Sequence, residues 1–446
     1  MDGTVASRKK IMTQTSLTVA LLLGLPALGW AEEAESVLSA ADTAWMLIST
    51  ALVLFMTPGL ALFYGGMVRK KNVLGTMMHS FFAMALIPVL WMVAGYSLAF
   101  GTDIGHVIGG LDYLFLRGIR PDDLNGSTYP HLIFVAFQGM FAVITPALVA
   151  GAYAERIKFI SYALFTGLWL FLVYVPICHW VWGSGGWLYE KGALDFAGGT
   201  VVHMSAGFSA LAFAIVLGKR RGYGTTNMSP HNLSLTLTGV GILWFGWFGF
   251  NAGSALAANA TAGLAFLTTF LAPAAAGLSW AIAEWTRTGK PTALGVSSGI
   301  VAGLVVITPA AGFVGPGSAV IMGLLAGVVC YGAVWLKTPL GYDDSLDAFG
   351  VHGVGGMLGA LLTGVFASWA GWGDPVESLL FHTDLGAALS QFLVQVTSVV
   401  ATAAYSTVVT LGILFLVRAL VGLRVADQQE LEGLDLTQHG EANYHF

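Results

Sequence analysis

The chain has 446 residues, of which 56% are hydrophobic and only 10% charged, and its mean hydropathy is +0.76. Soluble domains carry about 25% charge, so an ordinary cytosolic enzyme and a disordered chain are excluded. A net charge of −5 offers no basic footprint for nucleic acid. What remains is a polytopic helical membrane protein.

At the start, Arg8-Lys9-Lys10 precede an apolar run that ends at Gly29-Trp30-Ala31. This is the pattern of a cleavable secretory signal over residues 1–31; a retained anchor is the alternative. Beyond it, charge is costly in hydrocarbon, so charge-free stretches mark the spans. They run 43–68, 72–102, 124–154, 159–189, 196–218, 222–283, 291–336, 348–373 and 385–417. One span needs ~20 residues, so 222–283 holds two helices. So does 291–336, broken at Gly315-Pro316-Gly317. The expected fold is all-α with eleven transmembrane helices. At ~1.5 Å per residue the last stretch exceeds a ~30 Å core, so the final helix tilts or protrudes.

A cleaved signal leaves the mature N-terminus outside and, after eleven spans, the C-terminus in the cytoplasm. The cations test that orientation. Inner loops and tail then hold Arg69, Lys70, Lys71, Arg156, Lys158, Lys219, Arg220, Arg221, Arg287, Lys290, Lys337, Arg418 and Arg424, against Arg117, Arg120 and Lys191 outside. The reading is a membrane domain over 32–423 in a cytoplasmic membrane and a cytoplasmic tail over 424–446. The tail's composition favours plain solvated sequence over a docking element.

Glycine crowds two spans, the fifth (Gly198-Gly199) and the tenth (Gly350, Gly353, Gly355-Gly356, Gly359), and each carries one histidine, His203 or His352. Five spans invert the topology of the next five, so matched histidines suggest an inverted 5+5 repeat around a central site. An acidic residue precedes each: Asp195 and Asp347. The simple reading of both is a helix N-cap; the sharper reading of Asp195 is a charge that holds a cation at the outer mouth. His79 and His179 lie in apolar stretches with no obvious partner. Trp244, Trp247, Phe248 and Phe250 lead into Asn251-Ala252-Gly253-Ser254, a pattern suited to cation–π recruitment at the end of a helix. Cys178 and Cys330 form neither a disulfide framework nor a metal site. No nucleophile–base set, metal cluster or phosphate loop is present, so no enzyme activity, cofactor or metal is expected.

FMTPGLALFYGGMVRKKN (55–72), VAFQGMFAVITPALVAGAYAERIKF (135–159), GALDFAGGTVVHMSAG (192–207), GWFGFNAGSA (246–255) and DAFGVHGVGGMLG (347–359) closely resemble the ammonium transporter (Amt/Mep/Rh) family, in its bacterial Amt branch. The resemblance implies that Phe141 and Phe250 are a stacked phenyl gate. It implies that Trp182 and Ser254, with Phe141, recruit ammonium, that Asp195 is the buried carboxylate beside them, and that His203 and His352 line the pore as a pair. It also implies ammonium or ammonia as substrate with methylammonium as analogue, a homotrimer in the lipid bilayer, and a cytosolic PII-type regulatory protein meeting the tail. A sensor on the same scaffold and a neutral small-solute channel are the rival readings.

Counting residues does not bring the histidines together. Each lies ~5 residues inside its helix, from opposite faces, which leaves the pair ~14 Å apart in a ~30 Å core. The family reading requires both helices to begin below the membrane surface. Its chemistry is physically sound. The idealised Born cost of an ion in a dry pore is on the order of 20 kcal/mol. Removing a proton from a group with a pKa of about 9 costs only ~3 kcal/mol at pH 7.

Overall fold

A computed structural model describes residues 37–368 and 376–444; the expected signal segment, 1–31, lies outside them. Among the described residues ten helices are long and apolar enough to cross a membrane. They are α1 (Ala40–Met67), α2 (Val73–Phe100), α3 (His131–Tyr153), α4 (Phe159–Glu190), α5 (Gly199–Leu217), α6 (Leu233–Ala255), α7 (Ala260–Thr288), α9 (Pro316–Leu340), α10 (Phe349–Phe366) and α11 (Leu385–Val421). Between α7 and α9 lies α8 (Ala293–Ile307), an apolar helix of 15 residues that runs into a buried turn at 308–314. The stretch 222–283 therefore holds two helices. The break in 291–336 falls where expected, with Gly315 as cap and Pro316 in the first turn of α9. The final helix is 37 residues long.

Local chemistry sets the ends. Side chains of Ser39, Asn232, Asn259, Thr292 and Asp384 each accept a hydrogen bond from the first turn of α1, α6, α7, α8 and α11. At the end bearing the 103–130 loop, a two-stranded hairpin, β1 (Asp103–Ile104) and β2 (Ile108–Gly109), presents Asp103 to His179. His179 Nε2 is 3.0 Å from the Asp103 carboxylate and Nδ1 is 2.8 Å from the Ala99 carbonyl. His179 is thus a satisfied packing residue that ties the loop down. His79 sits against the rings of Tyr153 and Tyr162, with centroids 5.4 and 4.5 Å away.

The tail is not plain solvated sequence. It forms two short helices, α12 (Asp427–Glu432) and α13 (Leu434–His439), that lie on the connecting loops. Buried Glu430 pairs with Arg424 at 2.7 Å and accepts from Arg221 N at 2.6 Å. Asp435 accepts from Gly75 N at 2.8 Å, Leu434 N donates to Asn72 Oδ1 at 2.8 Å, and Gln438 accepts from Phe159 N at 3.2 Å. Composition missed this because several of the tail's partners, Asn72, Gly75 and Arg221 among them, lie hundreds of residues away in the chain.

Four helices contain a π-turn: Trp91–Gly95 in α2, Leu170–Tyr174 in α4, Gly199–Met204 in α5 and Phe349–Gly353 in α10. The last two carry the histidines. One extra residue per turn re-aims the side chains that follow, and such turns are frequent at functional sites.

Candidate functional site

The centre is built from α5 and α10, which enter the bundle from opposite sides. Asp195 starts α5 at the loop end. Its Oδ1 accepts from Gly198 N and Gly199 N at 2.8 and 2.6 Å, and its Oδ2 from Thr200 N and Val201 N at 2.8 and 3.2 Å and from the Thr200 hydroxyl. A single carboxylate thus satisfies the free donors of a buried helix start. Gly198, at φ 112, supplies the left-handed entry.

The corresponding role at α10 falls to Asp344 rather than Asp347. Asp344 accepts from Phe349 N at 2.7 Å, whereas Asp347 pairs with Lys337. Asp347 adopts φ 64, which directs its side chain away from the helix start. Asp344 is pushed up to about 6, first by burial and then by the adjacent Asp347 charge. Its folded value lies above the ordinary ~3.9. Stability from this group is therefore full below about pH 4 and lost as pH rises through about 6. Asp344→Asn keeps the acceptor and removes the charge, so it is expected to flatten that part of the thermal-unfolding profile between pH 4 and 7. An unchanged slope contradicts the assignment.

Around Asp344 the loops are locked. Arg220 grips Asp343 through both oxygens at 2.9 Å and reaches Glu155 at 3.2 Å, while Arg69 meets Glu155 at 2.8 Å. Burial alone raises both carboxyls, but the guanidiniums outweigh it and hold Glu155 and Asp343 below their ordinary range. This knot fixes where α10 begins.

Between the two starts the helices nearly touch. A Cβ on Gly207 would lie 2.1 Å from Gly353 N, and one on Gly356 2.7 Å from the Gly199 carbonyl oxygen. This approach sets His203 Nδ1 3.3 Å from His352 Nδ1, with ring centroids 5.3 Å apart. The ~14 Å separation from counting fails because both helices begin well inside the bundle, capped by buried carboxylates, and reach their histidines through π-turns. A hydrogen bond between two Nδ1 atoms needs one donor and one acceptor. One ring then carries an acceptor Nε2 and the other an Nε2–H. His203 Nε2 is buried and has no protein partner.

The histidines line a narrow space with Leu60, Ile144, Trp247 and Phe250; its other walls are apolar. Phe250 and Phe141 lie above it, ring centroids 4.2 Å apart at 31°, and Trp182 meets Phe141 edge-on at 5.8 Å. Beyond Phe141 a vestibule opens, lined by Phe137, Trp182, Asp195 and Ser254 among others. Ser254 Oγ donates to the Phe250 carbonyl at 2.8 Å, which leaves its lone pairs to the vestibule. Trp182 Nε1 donates to the Asp195 carbonyl at 2.8 Å. All seven expected site residues therefore fall along one line: Trp182, Ser254 and Asp195 at the vestibule, then Phe141, Phe250, His203 and His352. Trp247 belongs with them, stacked 5.4 Å from His203 and fixed by Nε1 to Thr308 Oγ1 at 2.9 Å. Its spacing of three from Phe250 already placed both on one helix face. Among the described residues no group of three or more His, Cys, Asp or Glu is arranged to hold a metal ion.

Within a bundle of membrane-length helices, two phenyl rings thus separate an open vestibule from an apolar cavity that holds a histidine pair, the architecture of a polytopic membrane protein with a buried site for a small solute. Residues 44–444 match the model of the Ammonium Transporter Family. The chain is 49% identical over 421 residues to an ammonium transporter of Aquifex aeolicus, covering 94% of this chain and 96% of that one. Its structure is similar to that of Candida albicans Mep2, with a TM-score of 0.82, 37% identity and coverage of 91% and 90%. It is also similar to a protein described as a sensor Amt protein, with a TM-score of 0.82, 30% identity and coverage of 90% and 98%. The chain belongs to the ammonium transporter family, whose members are transporters rather than enzymes.

Proposed function

We propose that this protein moves ammonium across a bacterial cytoplasmic membrane by recruiting the cation, removing its proton and passing ammonia between His203 and His352. The observation that carries the reading is the 3.3 Å contact between the two Nδ1 atoms inside an otherwise apolar passage. One Nε2 accepts and the other donates, so the pair meets both needs of an ammonia molecule, a donor and an acceptor. Potassium has no proton to give up and makes no hydrogen bond to either ring. It faces the whole desolvation cost of the dry segment.

In this reading the vestibule faces outward. Trp182 and Phe141 give aromatic faces to the cation and Ser254 gives an acceptor. Asp195 acts mainly through its field and through the helix it caps, since its oxygens are occupied by backbone donors. Phe141 and Phe250 open to admit the solute. The proton is carried separately by the histidine pair, which titrates as a unit. Residues 1–31 act as the signal and 32–423 as the transport domain; the protomers form a trimer, and the tail from 424 receives a PII-type protein at the inner face. A sensing role is the second reading, favoured by the similarity to the sensor Amt protein.

His203→Ala and His352→Ala in proteoliposomes separate these possibilities. Methylammonium uptake and the accompanying current are both expected to fall at least tenfold, a loss of about 1.4 kcal/mol or more of barrier lowering. Uptake that persists without current removes the proton relay. Uptake unaffected in both variants removes the pore assignment.

A further inference from the structure

The final helix carries a polar stripe on the face turned to the pore helices. Gln395, Ser398, Thr402, Ser406 and Thr410 are all buried, at the spacing of one helix face. The two ends of the stripe are fully bonded. Gln395 holds Leu194, the neighbour of Asp195, through N–H at 2.7 Å and the carbonyl at 2.8 Å, and donates to the Ala360 carbonyl at 3.0 Å. Thr410 donates to Ser209 on α5 at 2.8 Å, which also accepts from Trp169 Nε1 at 2.9 Å.

The three hydroxyls between have no protein partner, although they are at most 2% exposed. The same helix shows what a hydroxyl does when nothing else is available. Thr397 and Thr407 donate back to the carbonyls of Leu393 and Ala403, at 2.7 and 2.8 Å. Ser398, Thr402 and Ser406 make no such bond and direct their hydroxyls elsewhere. A polar group left unpaired inside a membrane domain is strongly disfavoured.

We propose that a short file of water molecules occupies the seam between α11 and the pore helices α5 and α10. Successive hydroxyls four residues apart are ~6 Å apart along the helix. That is the reach of one water bonded at ~2.8 Å on either side. A water there gains two hydroxyl partners and its neighbours in the file, within the two to four bonds that buried water requires. The file is blind at the tail end, where Ile413, Leu414 and Val417 follow as buried apolar residues. It therefore hydrates the back of the pore helices and conducts nothing. Its role is to join the final helix to α5 through exchangeable bonds, beside a passage that stays dry.

Radiolytic hydroxyl labelling of the full chain in nanodiscs, read by mass spectrometry, tests this, because ordered internal water generates radicals in place. Met204 packs with Val399 at the seam and is as buried as Met46 and Met322, which lie in other parts of the core. Met204 is expected to label several-fold faster than either, and to slow to their rate in the Ser398→Ala/Thr402→Val/Ser406→Ala variant. Thr402→Val alone is expected to lower the melting temperature, since it strands two water bonds. Met204 labelling in the wild type no faster than Met322, or a Thr402→Val protein as stable as the wild type or more so, overturns the proposal. Should the triple variant fail to fold, the wild-type labelling and the single variant decide.

Discussion

Gly207→Ala is expected to reduce methylammonium uptake at least tenfold while the protein still reaches the membrane. The added Cβ falls 2.1 Å from Gly353 N, 2.3 Å from Gly353 Cα and 2.9 Å from the His352 carbonyl carbon. All three are backbone atoms, so no side-chain rotation relieves the clash and one helix must move. Overpacking of this kind typically costs about 1–3 kcal/mol. A shift of only ~1 Å takes the histidine pair beyond hydrogen-bond reach. Gly263→Ala is the control, because nothing lies within 4 Å of its added Cβ. Uptake by Gly207→Ala equal to that control would show that the close approach of α5 and α10 is not required.

The second large effect is on stability. Asp195→Ala removes one carboxylate and strands four backbone N–H groups and the Thr200 hydroxyl at a buried helix start. An ordinary N-cap is worth about 1–2 kcal/mol, and each hydrogen bond to a charged group about 1.5–3 kcal/mol. With several lost together, the change belongs with the exceptional substitutions above about 4 kcal/mol. The variant is expected to elute as aggregate in detergent chromatography or to melt far below the wild type. Asp195→Asn, which keeps one acceptor and turns an amide towards the Thr200 donors, is expected to fall between. An alanine variant that melts with the wild type would remove the cap from the account.

The helical plan was legible because charge is costly in hydrocarbon, and thinly spread charges therefore bracket the helices. Gly315-Pro316 marked its break for an equally local reason, a cap followed by a first-turn proline. The site residues were legible as types and motifs, but their geometry was not. Residue counting assumed straight α-helices beginning at the membrane surface, whereas α5 and α10 begin within the bundle and contain π-turns. Asp347 looked like the cap of α10 by proximity, yet the choice between it and Asp344 rests on Lys337 and on a positive φ. The docked tail was hidden for a similar reason. Its partners Lys71, Asn72 and Gly75 are about 360 residues away in the chain.

The opposed starts of α5 and α10 bear on the field as well as on geometry. Each helix N-terminus carries about half a positive charge, and here one stands at either end of the passage, each with a carboxylate beside it. Their dipoles run antiparallel, so along the axis the two contributions oppose one another, and neither helix start alone sets the field between the histidines.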